Sequence, residues 1–255
     1  MEDPFNIVDE IPRKVMTLFY VVDTSGSMSG AKIGALNTAV RETLPIIEEI
    51  SSANSDALIK IAVLEFSSGC EWMYPTPEEV CNFEWIDLQA SGLTSLGEAY
   101  DTLNQKLSHS HGFMNEASGS FAPVIILLSD GEPTDEPAYS LQKLKANKWF
   151  SFATKIAIAI GDDCNKSTLI DFTGNTEAVL TVHSIDELKR MIRMVSVTAS
   201  RVNSKSTSAG KDALDKPTET VQAIRDGIEN DPTLKGIDVG TSTVNAGTDD
   251  WSGWD

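Results

Sequence analysis

The fold of this chain is decided by the stretch FYVVDTSGSM, at Phe19–Met28. Its apolar start predicts a buried strand, and that strand ends in an Asp-x-Ser-x-Ser sequence. One carboxylate, Asp23, and two hydroxyls, Ser25 and Ser27, thereby enter a tight turn, in which Gly26 removes a β-carbon clash. Hard divalent cations such as Mg2+ take oxygen ligands of this kind. Alone, the stretch is equally compatible with an ordinary strand-to-helix turn, which favours the same residue types.

Two further segments place oxygen-bearing side chains next to predicted elements. The sequence SGLTSLG, at residues 91–97, offers the Thr94 hydroxyl just before a predicted helix. The sequence IILLSDGEPTD, at residues 125–135, is a predicted buried strand that ends in Asp130. In a doubly wound sheet of order 3-2-1-4-5-6, strands 1 and 4 flank the crevice in which ligands bind. Because Asp23 ends strand 1 and Asp130 ends strand 4, we expect the two carboxylates to converge there.

Apolar runs and helical periodicity predict the rest of the fold. Five nearly continuous or weakly alternating apolar runs predict strands covered on both faces. A short edge strand at residues 70–74 completes a six-stranded sheet. Helical spacing alternates with these strands, so we predict an α/β fold with a doubly wound, mostly parallel six-stranded sheet flanked by helices. The five runs are residues 15–22, 58–66, 123–129, 155–160 and 178–182, and the helices are residues 31–50, 96–107, 136–149 and 185–204.

Local signals refine the helix ends. Pro45 lies inside the first predicted helix and predicts a kink or a break. Ser184 and Glu187 have the spacing of a capping box, which opens the last long helix. Asp135 is expected to cap the helix that follows it.

Composition limits the classes of partner. The net charge of −18 argues against binding to nucleic acid or to anionic membranes, both of which need basic surface. No apolar run reaches the roughly 18 residues of a membrane span. The three Cys residues (Cys70, Cys81 and Cys164) show no metal-binding spacing and are read as reduced thiols, which indicates a cytoplasmic protein.

The chain divides into three regions. Residues 1–12 are predicted to be an N-terminal arm, and residues 13–204 a single domain. Residues 205–255 are acidic and rich in Ser, Thr and Gly, and we expect a disordered tail. The tail ends in DDWSGWD, at residues 249–255, which is either a docking motif for a partner or an ordinary tail.

The three motifs together resemble the von Willebrand factor A (vWA) domain and its metal-ion-dependent adhesion site. Asp23, Ser25 and Ser27 match the first motif, Thr94 the second and Asp130 the third. The resemblance implies that the hydroxyls and waters hold Mg2+, with Mn2+ or Ca2+ as alternatives. Either carboxylate would bind directly or through water, and an Asp or Glu of a partner protein would complete the coordination.

Within that family, the wording of the motifs is most similar to bacterial tellurite-resistance TerY-type proteins. This resemblance implies a non-enzymatic adaptor or scaffold in a bacterial stress-response or defence system, with a protein kinase and a PP2C-type phosphatase as partners. No Cys follows Cys164, so the C-terminal zinc ribbon of many TerY-like proteins has no counterpart.

Two other functions stay open at the level of sequence. One is a metal-dependent hydrolase with Asp23 or Ser25 as nucleophile, although no His stands in the context of a general base and no P-loop is present. The other is a structural scaffold whose interactions run through the C-terminal tail.

Overall fold

The structure is a computed structural model of the 255-residue chain, and it describes residues 12–116, 118–161, 164–205, 215–234 and 236–240. The strands in chain order are β1 (Lys14–Asp23), β2 (Ala57–Phe66), β3 (Cys70–Trp72), β4 (Glu78–Glu79), β5 (Val124–Ser129), β6 (Thr154–Ile160), β7 (Val179–Val182) and β8 (Asp238–Val239). The α-helices are α1 (Ala31–Ser52), α2 (Leu96–Lys106), α3 (Pro137–Lys145), α4 (Lys148–Phe152), α5 (Lys166–Thr173), α6 (Ile185–Asn203) and α7 (Asp215–Asn230).

One mixed sheet runs through the described part of the chain in the order β3-β2-β1-β5-β6-β7-β8, with β4 also paired to β2. The strands β2, β1, β5, β6 and β7 are parallel, whereas β3, β4 and β8 are antiparallel. The predicted α/β fold and the predicted order of six strands are therefore confirmed. The sheet has eight strands and not six, because β4 and β8 add two residues each at its edges.

The sheet is buried on both faces, as the continuous apolar runs predict. On one face, Tyr20 and Val22 of β1 pack in a cluster that also contains side chains of α1, α6 and α7. On the other face, Phe19 and Val21 pack in a cluster with side chains of α2, α3, α4 and α5. Because successive strand residues point to opposite faces, each of the five parallel strands contributes to both clusters.

Two predicted helices differ in their bounds. α1 continues through Pro45 without a break. Pro45 and Arg41 are both exposed, so water reaches the Arg41 carbonyl that loses its partner, while Leu44 and Ile47 anchor the helix in the core. The helix predicted at residues 136–149 is two helices, since Asn147 caps a new helix by accepting a hydrogen bond from Trp149 N at 2.9 Å. The capping box of Ser184 and Glu187 is present as predicted.

The C-terminal region differs from the predicted tail. Residues 215–230 form α7, and Thr220, Val221, Ile224 and Ile228 of that helix are buried. Their spacing is that of an amphipathic helix packed on the domain. Its many Thr and charged residues concealed the pattern in the sequence. The described residues do not include residues 1–11 of the predicted arm or residues 206–214, 235 and 241–255 of the predicted tail.

Asn203, the last residue of α6, joins three elements through hydrogen bonds. Its amide nitrogen donates to Thr220 Oγ1 of α7 at 3.0 Å, and its side-chain oxygen accepts from Thr154 Oγ1 of β6 at 2.7 Å. Lys216 of α7 donates to the Asn203 backbone carbonyl at 3.0 Å. These buried bonds fix α7 beside α6. In the part of the chain that the structure describes, no helix is long and apolar enough to span a bilayer.

We expect Ile224→Ala to lower the free energy of unfolding by about 2–4 kcal/mol, because a buried side chain would leave a cavity in the core. Urea unfolding measures this change. The control is Glu229→Ala, at an exposed position of the same helix, which should change stability by less than about 0.5 kcal/mol. Equal effects of the two substitutions would contradict the packing of α7 on the domain.

Candidate metal centre

Asp23 and Asp130 lie side by side at the carboxyl edge of the sheet. β1 and β5 are neighbours, with Val22 opposite Leu128. Asp23 is the last residue of β1, and Asp130 directly follows the last residue of β5. Both are buried, with exposed fractions of 0% and 4%. The structure therefore brings together the two carboxylates that the sequence placed at this point.

Each carboxylate oxygen of this pair accepts a hydrogen bond. Asp23 Oδ1 accepts from Ser25 N at 2.9 Å, and Asp23 Oδ2 accepts from Ser129 Oγ at 2.7 Å. Asp130 Oδ1 accepts from Ser27 Oγ at 2.6 Å, and Asp130 Oδ2 accepts from Lys32 Nζ at 2.5 Å. The Ser25 and Ser27 hydroxyl oxygens are 3.0 Å apart. A continuous set of hydrogen bonds thus connects the loop after β1 with the loop after β5.

Backbone hydrogen bonds hold the loop that carries Thr94 against the loop after β1. Gly26 N donates to the Gly92 carbonyl at 3.0 Å, and Ser91 N donates to the Thr24 carbonyl at 2.8 Å. Gly92 has φ +80°, a conformation that favours glycine. The path of this loop is therefore fixed on the side that faces Ser25 and Ser27.

The same loop is bonded to the segment that follows Asp130. Thr134 N donates to the Thr94 carbonyl at 2.9 Å, and Thr94 N donates to Thr134 Oγ1 at 3.1 Å. Asp135 Oδ2 accepts from Gly97 N at 2.8 Å and from Glu98 N at 3.3 Å. Asp135 therefore caps α2, and the prediction that it caps the following helix, α3, is wrong. All three predicted loops are cross-linked at one place.

Gly131 leaves open a small space between the hydroxyl groups. A β-carbon at this position would lie 3.6 Å from Ser27 Oγ and 4.0 Å from Thr94 Oγ1. The two hydroxyls thus border the same space, beside Asp130. Oxygen atoms of hydroxyls and carboxylates around such a space suit a hard cation such as Mg2+, Mn2+ or Ca2+ and not a thiophilic one. Among the described residues, no cluster of three or more His, Cys, Asp or Glu side chains offers another metal site.

The site carries an excess of buried negative charge. Burial raises the pKa of Asp23, hydrogen bonds from Ser25 and Ser129 oppose that rise, and the nearby Asp130 charge adds to it. The Lys32 ammonium, on a side chain that is 36% exposed, pairs with Asp130. One ammonium faces two carboxylates, so the local field favours a further cation.

Cys164 lies beside the site without joining it. Its thiol donates to the Ser129 carbonyl at 3.4 Å. Burial raises the pKa of this thiol to about 12, and the charge of Asp130 adds to the rise. The thiol is therefore protonated at neutral pH, when it is neither a good metal ligand nor a nucleophile.

The sequence analysis missed three residues that support this site: Lys32, Ser129 and Thr134. Ser129 could have been found, because it directly precedes Asp130 at the same edge of the sheet. Lys32 also carries a signal, since it lies in the first turn of the helix that follows the Asp-x-Ser-x-Ser loop. Thr134 supports the site through its bonds to Thr94, which depend on how the two loops meet in the fold.

The model of the von Willebrand factor type A domain matches residues 18–193, which contain all five predicted site residues. The chain belongs to the vWA family. The match includes most of β1, the strands from β2 to β7 and most of α6, so the vWA domain accounts for the sheet except β8 and for the helices except α7.

Solved structures with the same fold come from diverse sources. Proximal thread matrix protein 1 from the mussel byssus, with a zinc-occupied MIDAS motif, is 19% identical, with a TM-score of 0.57 over 74% of this chain and 48% of that chain. The von Willebrand factor type A protein from Catenulispora acidiphila is 18% identical, with a TM-score of 0.54 over 74% and 43%. The pilus adhesin SpaC from Lactobacillus rhamnosus GG is 18% identical, with a TM-score of 0.58 over 74% and 31%.

These identities establish the fold alone. The chain spans less than half the length of each of these solved structures. No curated protein sequence matches it. The similarity to TerY-type proteins that the motif wording suggests stays a prediction.

We expect Asp23→Asn to raise the free energy of unfolding at neutral pH in EDTA. The raised pKa of Asp23 means that ionising this carboxyl costs more in the folded chain than in the unfolded chain. Its contribution to stability is thus largest at low pH and is lost as the pH rises through the folded-state pKa. The gain from Asp23→Asn should therefore shrink on acidification, which urea unfolding between about pH 4 and 8 measures.

The control for this prediction is Asp171→Asn, at an exposed position of α5. It should leave stability within about 0.5 kcal/mol of the wild type. Lower stability of Asp23→Asn at neutral pH would mean that the hydrogen bonds to this carboxylate outweigh the cost of its burial.

Proposed function

We propose that this chain is a non-enzymatic module that binds a partner protein through a divalent cation held by Asp23, Ser25, Ser27, Thr94 and Asp130. The observation that carries the proposal is the convergence of these residues around the space beside Gly131. We propose Mg2+ as the cation, with Mn2+ or Ca2+ as alternatives. The zinc in the MIDAS motif of the mussel protein supports a divalent metal.

The donor set explains why a partner would be needed. Three of the five side chains are neutral hydroxyls, and the remaining two are carboxylates that already accept hydrogen bonds. A cation held mainly by neutral oxygens keeps much of its positive charge and attracts one more anionic ligand. In this proposal an Asp or Glu of the partner supplies that ligand, so the metal forms part of the interface.

The contacts of the site favour binding over catalysis. A nucleophilic Ser needs a base within hydrogen-bond reach. Within the described ranges, the Ser25 hydroxyl contacts Ser27 Oγ and the Asp23 carboxylate, and no third group orients Asp23 as a base, since its other partners are the Ser25 N–H and the Ser129 hydroxyl. No His takes part in these contacts, so the hydrolase alternative gains no support.

The biological setting that we propose is an adaptor or scaffold in a TerY-like stress-response or defence system of the bacterial cytoplasm. The wording of the three motifs supports this setting, and a protein kinase and a PP2C-type phosphatase are the proposed partners. The net charge of −18 supports a protein partner over a nucleic acid or an anionic membrane.

We expect Gly131→Ala to weaken Mn2+ binding roughly tenfold, equal to about 1.4 kcal/mol, because the added methyl group would occupy the space between the hydroxyls. Isothermal titration calorimetry measures the affinity. The matched control is Gly34→Ala on α1, where a β-carbon meets nothing within 4 Å and binding should not change. Equal Mn2+ affinity of both variants and the wild type would place the cation elsewhere.

Partner binding is expected to depend on the same site. The full chain, used as bait in lysate of its source, should retain a partner in Mg2+ and lose it in EDTA, with Gly131→Ala or with Asp23→Ala. Gly34→Ala should retain it. The proposal would be contradicted if partner binding were unchanged by EDTA, Gly131→Ala and Asp23→Ala but lost with Trp251→Ala and Trp254→Ala. The partner would then bind through residues 249–255.

A further inference from the structure

An apolar groove with a basic rim lies on the outer face of α6. Its volume is about 430 Å3, which is within the range of ligand pockets. Its apolar floor consists of Met194 and Val197 of α6, Ile46 of α1, and Leu234 from the segment after α7. The groove is formed by α1, α6 and the segment after α7. None of the five proposed metal ligands lines it.

Three arginines of α6 border this groove: Arg190, Arg193 and Arg201. Together with Met194 and Val197 they follow the spacing of one helix face. All three arginines are exposed, and none forms an ion pair with another residue that the structure describes. Asp231 also lines the groove, and its pKa is lowered mainly by hydrogen bonds from Thr233, with a smaller contribution from the Arg190 charge. In a chain of net charge −18, unpaired guanidinium groups around an apolar floor indicate a surface for an acidic, aromatic ligand.

The chain itself carries a segment of that chemistry. Residues 249–255 read DDWSGWD and combine two Trp with three Asp and no basic residue. Trp side chains supply large apolar area, and Arg stacks on aromatic faces while pairing with carboxylates. We propose that residues 249–255 of this chain bind in the groove of α6, with the Trp side chains on its floor and the Asp carboxylates against its arginines.

The connecting chain is long enough for this contact. Leu234 lines the groove, and Gly240 is six residues further on, so Gly240 lies within roughly 22 Å of Leu234 along an extended chain. The nine residue steps from Gly240 to Asp249 span up to about 32 Å when extended. A short tether also keeps the segment at a high effective concentration near the groove, so that a weak contact suffices.

The test is fluorine NMR of the full chain labelled with 5-fluorotryptophan, which gives one signal for each of the five Trp. Single Trp251→Phe and Trp254→Phe substitutions assign the two signals of the C-terminal segment. We expect these signals to be shifted from the position of free fluorotryptophan. Arg190→Glu combined with Arg193→Glu should return them to that position, because the rim would then repel the Asp carboxylates.

Controls separate loss of docking from loss of fold. Lys189→Glu, next to the groove on α6 but outside its lining, should leave the shifts of the C-terminal signals in place. The signals of Trp72, Trp85 and Trp149 should not move in any of these variants. The proposal would be overturned if the wild-type signals of Trp251 and Trp254 lay at the position of free fluorotryptophan. It would also be overturned if these signals were shifted but unchanged by the arginine substitutions. Shifts that vanish on dilution would overturn it in favour of a groove that binds a second copy of the chain.

Discussion

The constraint on which this structure depends is the burial of two carboxylates of like charge at the ends of neighbouring parallel strands. Asp23 and Asp130 cannot separate, because β1 and β5 share backbone hydrogen bonds almost to their ends. The loop after β1 and the last residue of β5 therefore supply donors to both carboxylates. Ser25 and Ser129 bond to Asp23, and Ser27 bonds to Asp130. The turn after β1 thus serves both carboxylates from a single loop, with the Ser25 backbone N–H at Asp23 and the Ser27 hydroxyl at Asp130.

Rigidity of the neighbouring loops follows from the same requirement. The hydroxyls of Ser27 and Thr94 border one space only if the distance and orientation between their loops are fixed. Backbone hydrogen bonds at Gly92 and Thr134 fix them. Backbone hydrogen bonds do not depend on side-chain identity, so the arrangement of the loops depends little on which residues lie at their surfaces. A site built in this way is preorganised, and a ligand that enters it does not have to order the loops first.

The strand order and the proximity of Asp23 and Asp130 could be predicted from sequence because they follow from rules about strand ends. A continuous apolar run that ends in Asp marks the carboxyl edge of a parallel strand, and the switch point then places Asp23 beside Asp130. The rules about strand ends do not cover Lys32, which reaches Asp130 from the first turn of α1. It also missed α7, since the apolar positions from Val221 to Ile228 are separated by polar residues and its stability comes from packing on Asn203 and the core.

Lys32 is a positive charge that already occupies the crevice and that a bound cation would replace. Its ammonium group occupies the Oδ2 oxygen of Asp130 at 2.5 Å, so any cation that binds this oxygen directly has to displace a positive charge that is already present. Replacing the lysine ammonium by a divalent ion adds one unit of positive charge to the crevice. At a carboxylate pair without the lysine, the same ion would add two units. The displaced side chain, which is partly exposed, stays tethered within a helical turn of the loop. A divalent cation at this oxygen would therefore compete with Lys32, and its affinity would be lower than at a carboxylate pair without the lysine.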